Sequence, residues 1–233
     1  STIVYFLSYS MLMVIASRLH APVSQILLLF NIVVLGAIFF YYYWQVGYGN
    51  NFYQGTQSDD YQYDTLWSYP YHFKHGINHD YLENEFILHN SRGYVYFIVL
   101  LREFGSYFDG YHTMMPRILN SCFLVIIAIL CRRMAISNFN ISNRFGNYIL
   151  IAIALFPVLL FNSVHVFRDT AVTFLLVIIF YLCINLRKGR TFNLVIMLIA
   201  VNMLFSLRIE IAYLACYLLF FSILLQFYQK KVV

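Results

Sequence analysis

The sequence predicts an all-α integral membrane protein, about seven transmembrane helices with a large outer loop, and three observations predict it. Of 233 residues, 61% are hydrophobic and 11% charged, with a mean hydropathy of +0.69, which leaves too few charges to coat a water-soluble globule. Apolar runs close to the ~20 residues that cross a ~30 Å hydrocarbon layer recur along the chain. One long polar passage interrupts them, from Gln45 to about Gly93, and it holds Asp59, Asp60, Asp64, Asp80, Glu83 and Glu85 of the ten acidic residues.

Taken in order, Thr2–Ser17 lies at the lower limit of spanning length, and a basic turn with Arg18 and His20 separates it from the clear span Ile26–Trp44. That span ends in Tyr41-Tyr42-Tyr43-Trp44, an aromatic anchor of the kind that sits at lipid headgroups. Beyond the polar passage, Tyr94–Leu101 is apolar but too short to cross. With Arg102, Glu103 and the following Ser106–His112 it reads as interfacial helix. Met114–Cys131 spans, with Pro116 and Arg117 placed at the surface or facing the bundle interior. Arg132, Arg133 and Arg144 punctuate the next turn, and Tyr148–Phe167 spans with Pro157 inside it. Thr170–Leu186, Phe192–Leu207 and Ile211–Tyr228 complete the set. The chain reads as a single transmembrane domain over 1–233, with 45–113 as its extracytoplasmic loop and no internal repeat.

Charge orients this arrangement. With the loop outside, Arg18, Arg132, Arg133, Arg144, Arg187, Lys188, Arg190, Lys230 and Lys231 all fall on the inner side, as the positive-inside rule asks. All ten acidic residues then lie at the outer face. The formal charge of +5 is scattered over segment ends rather than gathered in a stripe, which argues against nucleic acid. The cysteines, Cys122, Cys131, Cys183 and Cys216, lie in or beside apolar segments without a CxxC, so neither a disulfide framework nor a zinc site is indicated. The chain opens on Ser rather than Met, so residues are expected to precede it. The first apolar run has neither a basic lead nor a small-residue cleavage site, unlike a signal peptide.

The candidate chemistry begins at Asp59-Asp60, adjacent carboxylates among Tyr61, Tyr63 and Trp67. One suits a general base that takes a proton from an acceptor hydroxyl, the other a metal ligand or a support for the first, against the plainer reading of a solvated acidic loop tip. Asp64 shares a helical face with Asp60 if the segment is helical. On the same outer side, Arg168-Asp169 opens one span, and Arg208 with Glu210 sits between the last two. Arginine offers a planar, permanently charged fork suited to phosphate; the alternative is an ion pair tying helix ends, or a side chain reaching the headgroups. His72, His75 and His79 with Asp80 match no zinc pattern and read as aromatic loop surface. Asn140-Ile141-Ser142 matches a glycan acceptor but falls on the inner side.

Several short runs together resemble the GT-C superfamily, the polyprenyl-phosphate-sugar-dependent membrane glycosyltransferases that include protein mannosyltransferases and aminoarabinose transferases. These runs are the acidic pair Asp59-Asp60 in the first large outer loop, Pro116-Arg117-Ile118-Leu119-Asn120 opening a span, FPVLLFNSVHVFRDTAVTFLL, and LFSLRIEIAYL near the end. The resemblance implies sugar transfer from a polyprenyl-phosphate donor to a glycan, lipid or protein acceptor on the outer face of a bacterial inner membrane. It implies Asp59 or Asp60 as base, with Arg168, Asp169, Arg208, Arg117 and Tyr61 on the substrate, membrane lipid around the bundle and no nucleic acid. A divalent metal at the acidic pair is compatible with this chemistry and not required by it. Family enzymes are commonly longer, so the chain is expected to be a fragment or truncated member, and Thr2–Ser17 is an extra segment before the loop-bearing span. Two other readings compete. An O-antigen or exopolysaccharide polymerase would lean on outer-loop arginines, and this loop offers only Lys74 and Arg92. A non-catalytic transporter or assembly subunit would place ionisable groups at mid-membrane and show paired repeats.

Overall fold

The computed structural model describes residues 1–48, 63–64, 92–108, 110–185 and 190–231, and every described element is helical. In chain order these are α1 (Thr2–Arg18), α2 (Val23–Tyr48), α3 (Arg92–Ser106), α4 (Met114–Phe139), α5 (Asn143–Ala154), α6 (Pro157–Val164), α7 (Arg168–Ile184), α8 (Arg190–Leu207) and α9 (Ile209–Lys231).

The 26-residue α4 is the axis of the bundle, touching α1, α2, α3, α5, α6 and α7. It is buried nearly all round, which is why its sequence shows no polar face. On one side Leu12, Phe30, Val33, Cys122, Leu124 and Ile129 pack among α1, α2 and α4. On the other, Val95, Ile98, Leu175, Ile179, Leu204 and Ala212 join α3, α7, α8 and α9. Phe123 of α4 stacks on Phe174 of α7 with ring centroids 4.5 Å apart, joining the two halves. Phe6, Leu28, Leu35, Phe39, Leu198, Tyr217 and Phe220 point outward, an apolar exterior suited to lipid.

By length and hydropathy, α2 and α4 are able to cross a membrane, and a third crossing results if α5 and α6, bent by 53° at their junction, count as one. Thr2–Arg18, Phe192–Leu207 and Ile209–Phe221 are shorter apolar helices, so helix length does not support the expected seven crossings. The expected continuous span Tyr148–Phe167 is instead two helices. Phe156 is extended, the conformation imposed on a residue before proline, and Pro157 starts α6 where its missing N–H costs nothing.

Two further expectations are corrected. Arg132 and Arg133 lie within α4, not in a turn, and the helix continues to Phe139. Arg132 is nonetheless drawn to the helix ends around it. Its Nε donates to Asn147 Oδ1 at 2.9 Å and its Nη1 to the His20 carbonyl at 3.4 Å. The stop comes at Asn140, which adopts the left-handed conformation (φ 52°) that asparagine tolerates, and Ser142 then caps α5 by accepting from the Phe145 amide. The glycan-like triplet is thus a stop-and-cap signal. Of the helix expected over Ser106–His112, only Ser106, the last residue of α3, is helical among the described residues. Gly110 takes φ 93°, and the chain turns so tightly that a Cβ on Gly105 would lie 2.9 Å from Tyr111 Cα. The helix expected over Tyr94–Leu101 is present as α3, its inner face closed on α8 and α4.

Candidate functional site

Alternation of the helices gives the bundle a polar end. Trp44 Nε1 at the end of α2 donates to His165 Nε2 after α6 at 3.0 Å, and Arg208 before α9 reaches Asp169 of α7. Gly93 at the start of α3 abuts Ser206 at the end of α8. The polar passage therefore leaves α2 and re-enters α3 at one end of the molecule. Arg18, Arg132 and Arg144 gather at the other, near the α1–α2 and α4–α5 turns.

At the polar end α4 contributes two side chains one turn apart. Arg117 is fully buried, with Nη1 donating to the Val164 carbonyl at 3.3 Å and its guanidinium carbon 5.8 Å from the Tyr41 ring centroid. Asn120, also fully buried, donates from Nδ2 to the carbonyls of His165 (3.0 Å) and Phe167 (3.1 Å) and to Tyr94 Oη (3.2 Å). The His165 carbonyl is freed where α6 ends and would be costly in an apolar bundle without a donor, while that of Phe167, the N-cap of α7, also belongs to the first turn of that helix.

His165 is enclosed by Phe40, Trp44, Phe161 and Phe167. Its Nδ1–H donates to the Phe161 carbonyl at 2.8 Å while Nε2 accepts from Trp44, so both ring nitrogens are used and the neutral form is fixed. His112 is fixed differently. Nδ1 accepts from the Met114 amide at 3.1 Å, which leaves the proton on Nε2, 3.2 Å from Tyr41 Oη. Its pKa is lowered, chiefly by burial, with Arg117 acting in the same direction and Asp64 opposing.

Asp64 is the one acidic residue of the polar passage among those described, and it is not solvated: 1% of its side chain is exposed. Tyr111 Oη donates to its carboxylate, and Arg102 Nη2 lies 3.4 Å from the same oxygen while also donating to the Asp64 carbonyl. Arg102 in turn sits 4.1 Å over the Tyr111 ring. Tyr63 packs edge-on against Tyr94, ring centroids 5.0 Å apart. Residues 63–64 are thus anchored on α3 and the turn that follows it.

Of the residues singled out from sequence, Asp169 and Arg208 meet at this end, and Arg168 precedes Asp169 at the start of α7. Arg208 Nη1 donates to Asp169 Oδ1 at 3.1 Å with both side chains nearly half exposed, at 41% and 45%. Arg117 lies deeper, out of contact with solvent. Asp59, Asp60 and Tyr61 lie outside the described residues, as do His72, His75, His79 and Asp80. Among the described residues no group of three His, Cys, Asp or Glu side chains could hold a metal ion. Sequence reasoning gave no site role to Asn120, His165, Trp44, Tyr111 or His112, although each falls in a run it singled out. The available signal was Asn120 three residues after Arg117 within an apolar run, a spacing that puts both on one helix face. No family model, curated protein or solved structure matches this chain.

Proposed function

We propose that this protein is an integral membrane glycosyltransferase that moves a sugar from a polyprenyl-phosphate donor to an acceptor hydroxyl at the outer face of a bacterial inner membrane. The observation that carries the reading is the half-exposed Arg208–Asp169 pair, with Arg168 next to Asp169 in the chain, at the end of the bundle where α2 finishes and α3 begins. Two arginines beside a carboxylate-rich loop are the complement of a phosphate leaving group and a hydroxyl nucleophile.

In this chemistry the acceptor oxygen attacks the anomeric carbon and its proton passes to Asp59 or Asp60. The bond from that carbon to the phosphate oxygen breaks, and its electron pair leaves with the phosphate, where Arg168 and Arg208 stabilise the charge. Arg208 commits one nitrogen to Asp169, and a guanidinium has five N–H donors in all. Arg117, having no exposed surface, acts through the backbone it holds. The shorter helices α1, α7, α8 and α9 complete the seven membrane crossings in this reading, with α3 at the interface. The expected donor is a lipid-linked sugar, so no nucleotide site is needed.

The test is transfer by the purified chain in lipid nanodiscs, given polyprenyl-phosphate sugar and an acceptor glycan, lipid or peptide. The parent transfers sugar, and Asp59→Asn or Asp60→Asn lowers kcat by at least about a hundredfold, the scale of general-base loss. Folded variants both as active as the parent would remove the base, and a parent inactive with every donor and acceptor would remove the function.

A further inference from the structure

Nothing in the proposed chemistry uses Asn120, yet it is the most heavily committed neutral side chain at the polar end. We propose that Asn120 is a positioning residue, one that sets the backbone carrying Arg168 and Asp169 by clamping the break between α6 and α7 and tying it to α3. This inference rests on the functional reading for its kinetic consequence only.

The geometry points this way for three reasons. Nδ2 faces three acceptors with two hydrogens, and two of those acceptors are backbone carbonyls on either side of Val166. The amide has one workable orientation, because turning it over would set Oδ1 against the carbonyls of His165 and Phe167. As it stands, Oδ1 is buried with no hydrogen-bond partner among the described residues, a cost tolerated for the donor side. Secondly, Arg117, one turn earlier, takes the Val164 carbonyl, so α4 alone satisfies three of the four carbonyls from 164 to 167. Thirdly, Phe167, the N-cap of α7, makes no side-chain cap hydrogen bond, and Asn120 holds its carbonyl from outside the helix. Arg168 and Asp169 are the next two residues. The Tyr94 hydroxyl brings α3, which receives the returning acidic passage, into the same node.

The experiment combines hydrogen exchange with donor kinetics on the full chain in nanodiscs, comparing the parent with Asn120→Leu, Asn120→Ser and Leu124→Ala. Leucine removes the donor, serine retains one, and Leu124→Ala is a control for loss of packing in the same helix, where Leu124 is fully buried. The expected result is faster amide exchange over residues 164–169 in Asn120→Leu, an intermediate rate in Asn120→Ser, and no local change in Leu124→Ala. The donor KM should rise about tenfold in Asn120→Leu with kcat within about twofold, the signature of lost donor placement rather than lost chemistry. If Asn120→Leu does not fold, Asn120→Ser carries the comparison. Exchange over 164–169 equal to the parent in the Asn120 variants would overturn the inference whatever the activity. A parent without transfer but with the expected exchange pattern would end the glycosyltransferase reading and leave the clamp standing.

Discussion

Replacing Asp64 with alanine should detach the acidic passage from the bundle without unfolding the bundle itself. The carboxylate is almost completely buried and meets Tyr111 Oη and Arg102 Nη2, the latter at 3.4 Å. Removing one partner of a buried pair costs ~3–5 kcal/mol when the other charge is left stranded. Here the cost is smaller, because Arg102 keeps its bond to the residue 64 carbonyl and its place over the Tyr111 ring. About 2 kcal/mol is the expectation, from two hydrogen bonds to one carboxylate oxygen, the arginine one long at 3.4 Å, less what water restores. At ~1.4 kcal/mol per factor of ten, that weakens attachment roughly thirtyfold. The assay is limited proteolysis within residues 45–91 alongside thermal unfolding in detergent, with Arg102→Met and the double variant completing a cycle. Cleavage should accelerate in each single variant, and the double variant should be less affected than the two effects combined. Unchanged cleavage in Asp64→Ala, or strictly additive effects, would refute the idea that this ion pair holds the passage down.

Other consequences follow from single contacts. Because the pKa of His112 is lowered on folding, the unfolded chain binds its proton more readily. Its contribution to stability is complete above the ordinary value of ~6.5 and declines as pH falls through that value towards the folded one. His112→Gln should flatten this part of the stability profile between pH 7 and 5, measured by thermal unfolding, and an unaltered slope would count against the neutral tautomer deduced from Met114 and Tyr41. Gly93→Ala would set a Cβ 2.9 Å from the Ser206 backbone carbon, and overpacking of this kind costs ~1–3 kcal/mol. A matching fall in unfolding temperature is expected, partly relieved by Ser206→Gly.

Most of the helices were legible in the sequence, and so was the face on which Asp169 and Arg208 would lie, because apolar runs and charge asymmetry are read one segment at a time. Arg168, Asp169 and Arg208 were visible as charges at segment ends, and Asp64 as part of an acidic run. What stayed hidden depends on contacts between distant segments. Arg132 looked like a turn residue because a charge in an apolar chain reads as a boundary. It is helical because Asn147 and the His20 carbonyl supply partners that no local pattern reveals. Pro157 could equally mark a kink or a new helix, and the broken form is the one in which Arg117 and Asn120 have donors to spare for the freed carbonyls. His165 and Trp44, 121 residues apart, gave no sign of each other.

The most direct measurement is equilibrium binding of a polyprenyl-phosphate sugar to the parent and to Arg168→Gln and Arg208→Gln in nanodiscs. The expected result is saturable binding by the parent, none of the unphosphorylated polyprenol, and affinity lower by about tenfold in each variant, near the ~1.5–3 kcal/mol of a hydrogen bond to a charged group. Equal binding of the phosphorylated and unphosphorylated lipids, unaffected by either substitution, would contradict the assignment of the polar end as a phosphate-binding site.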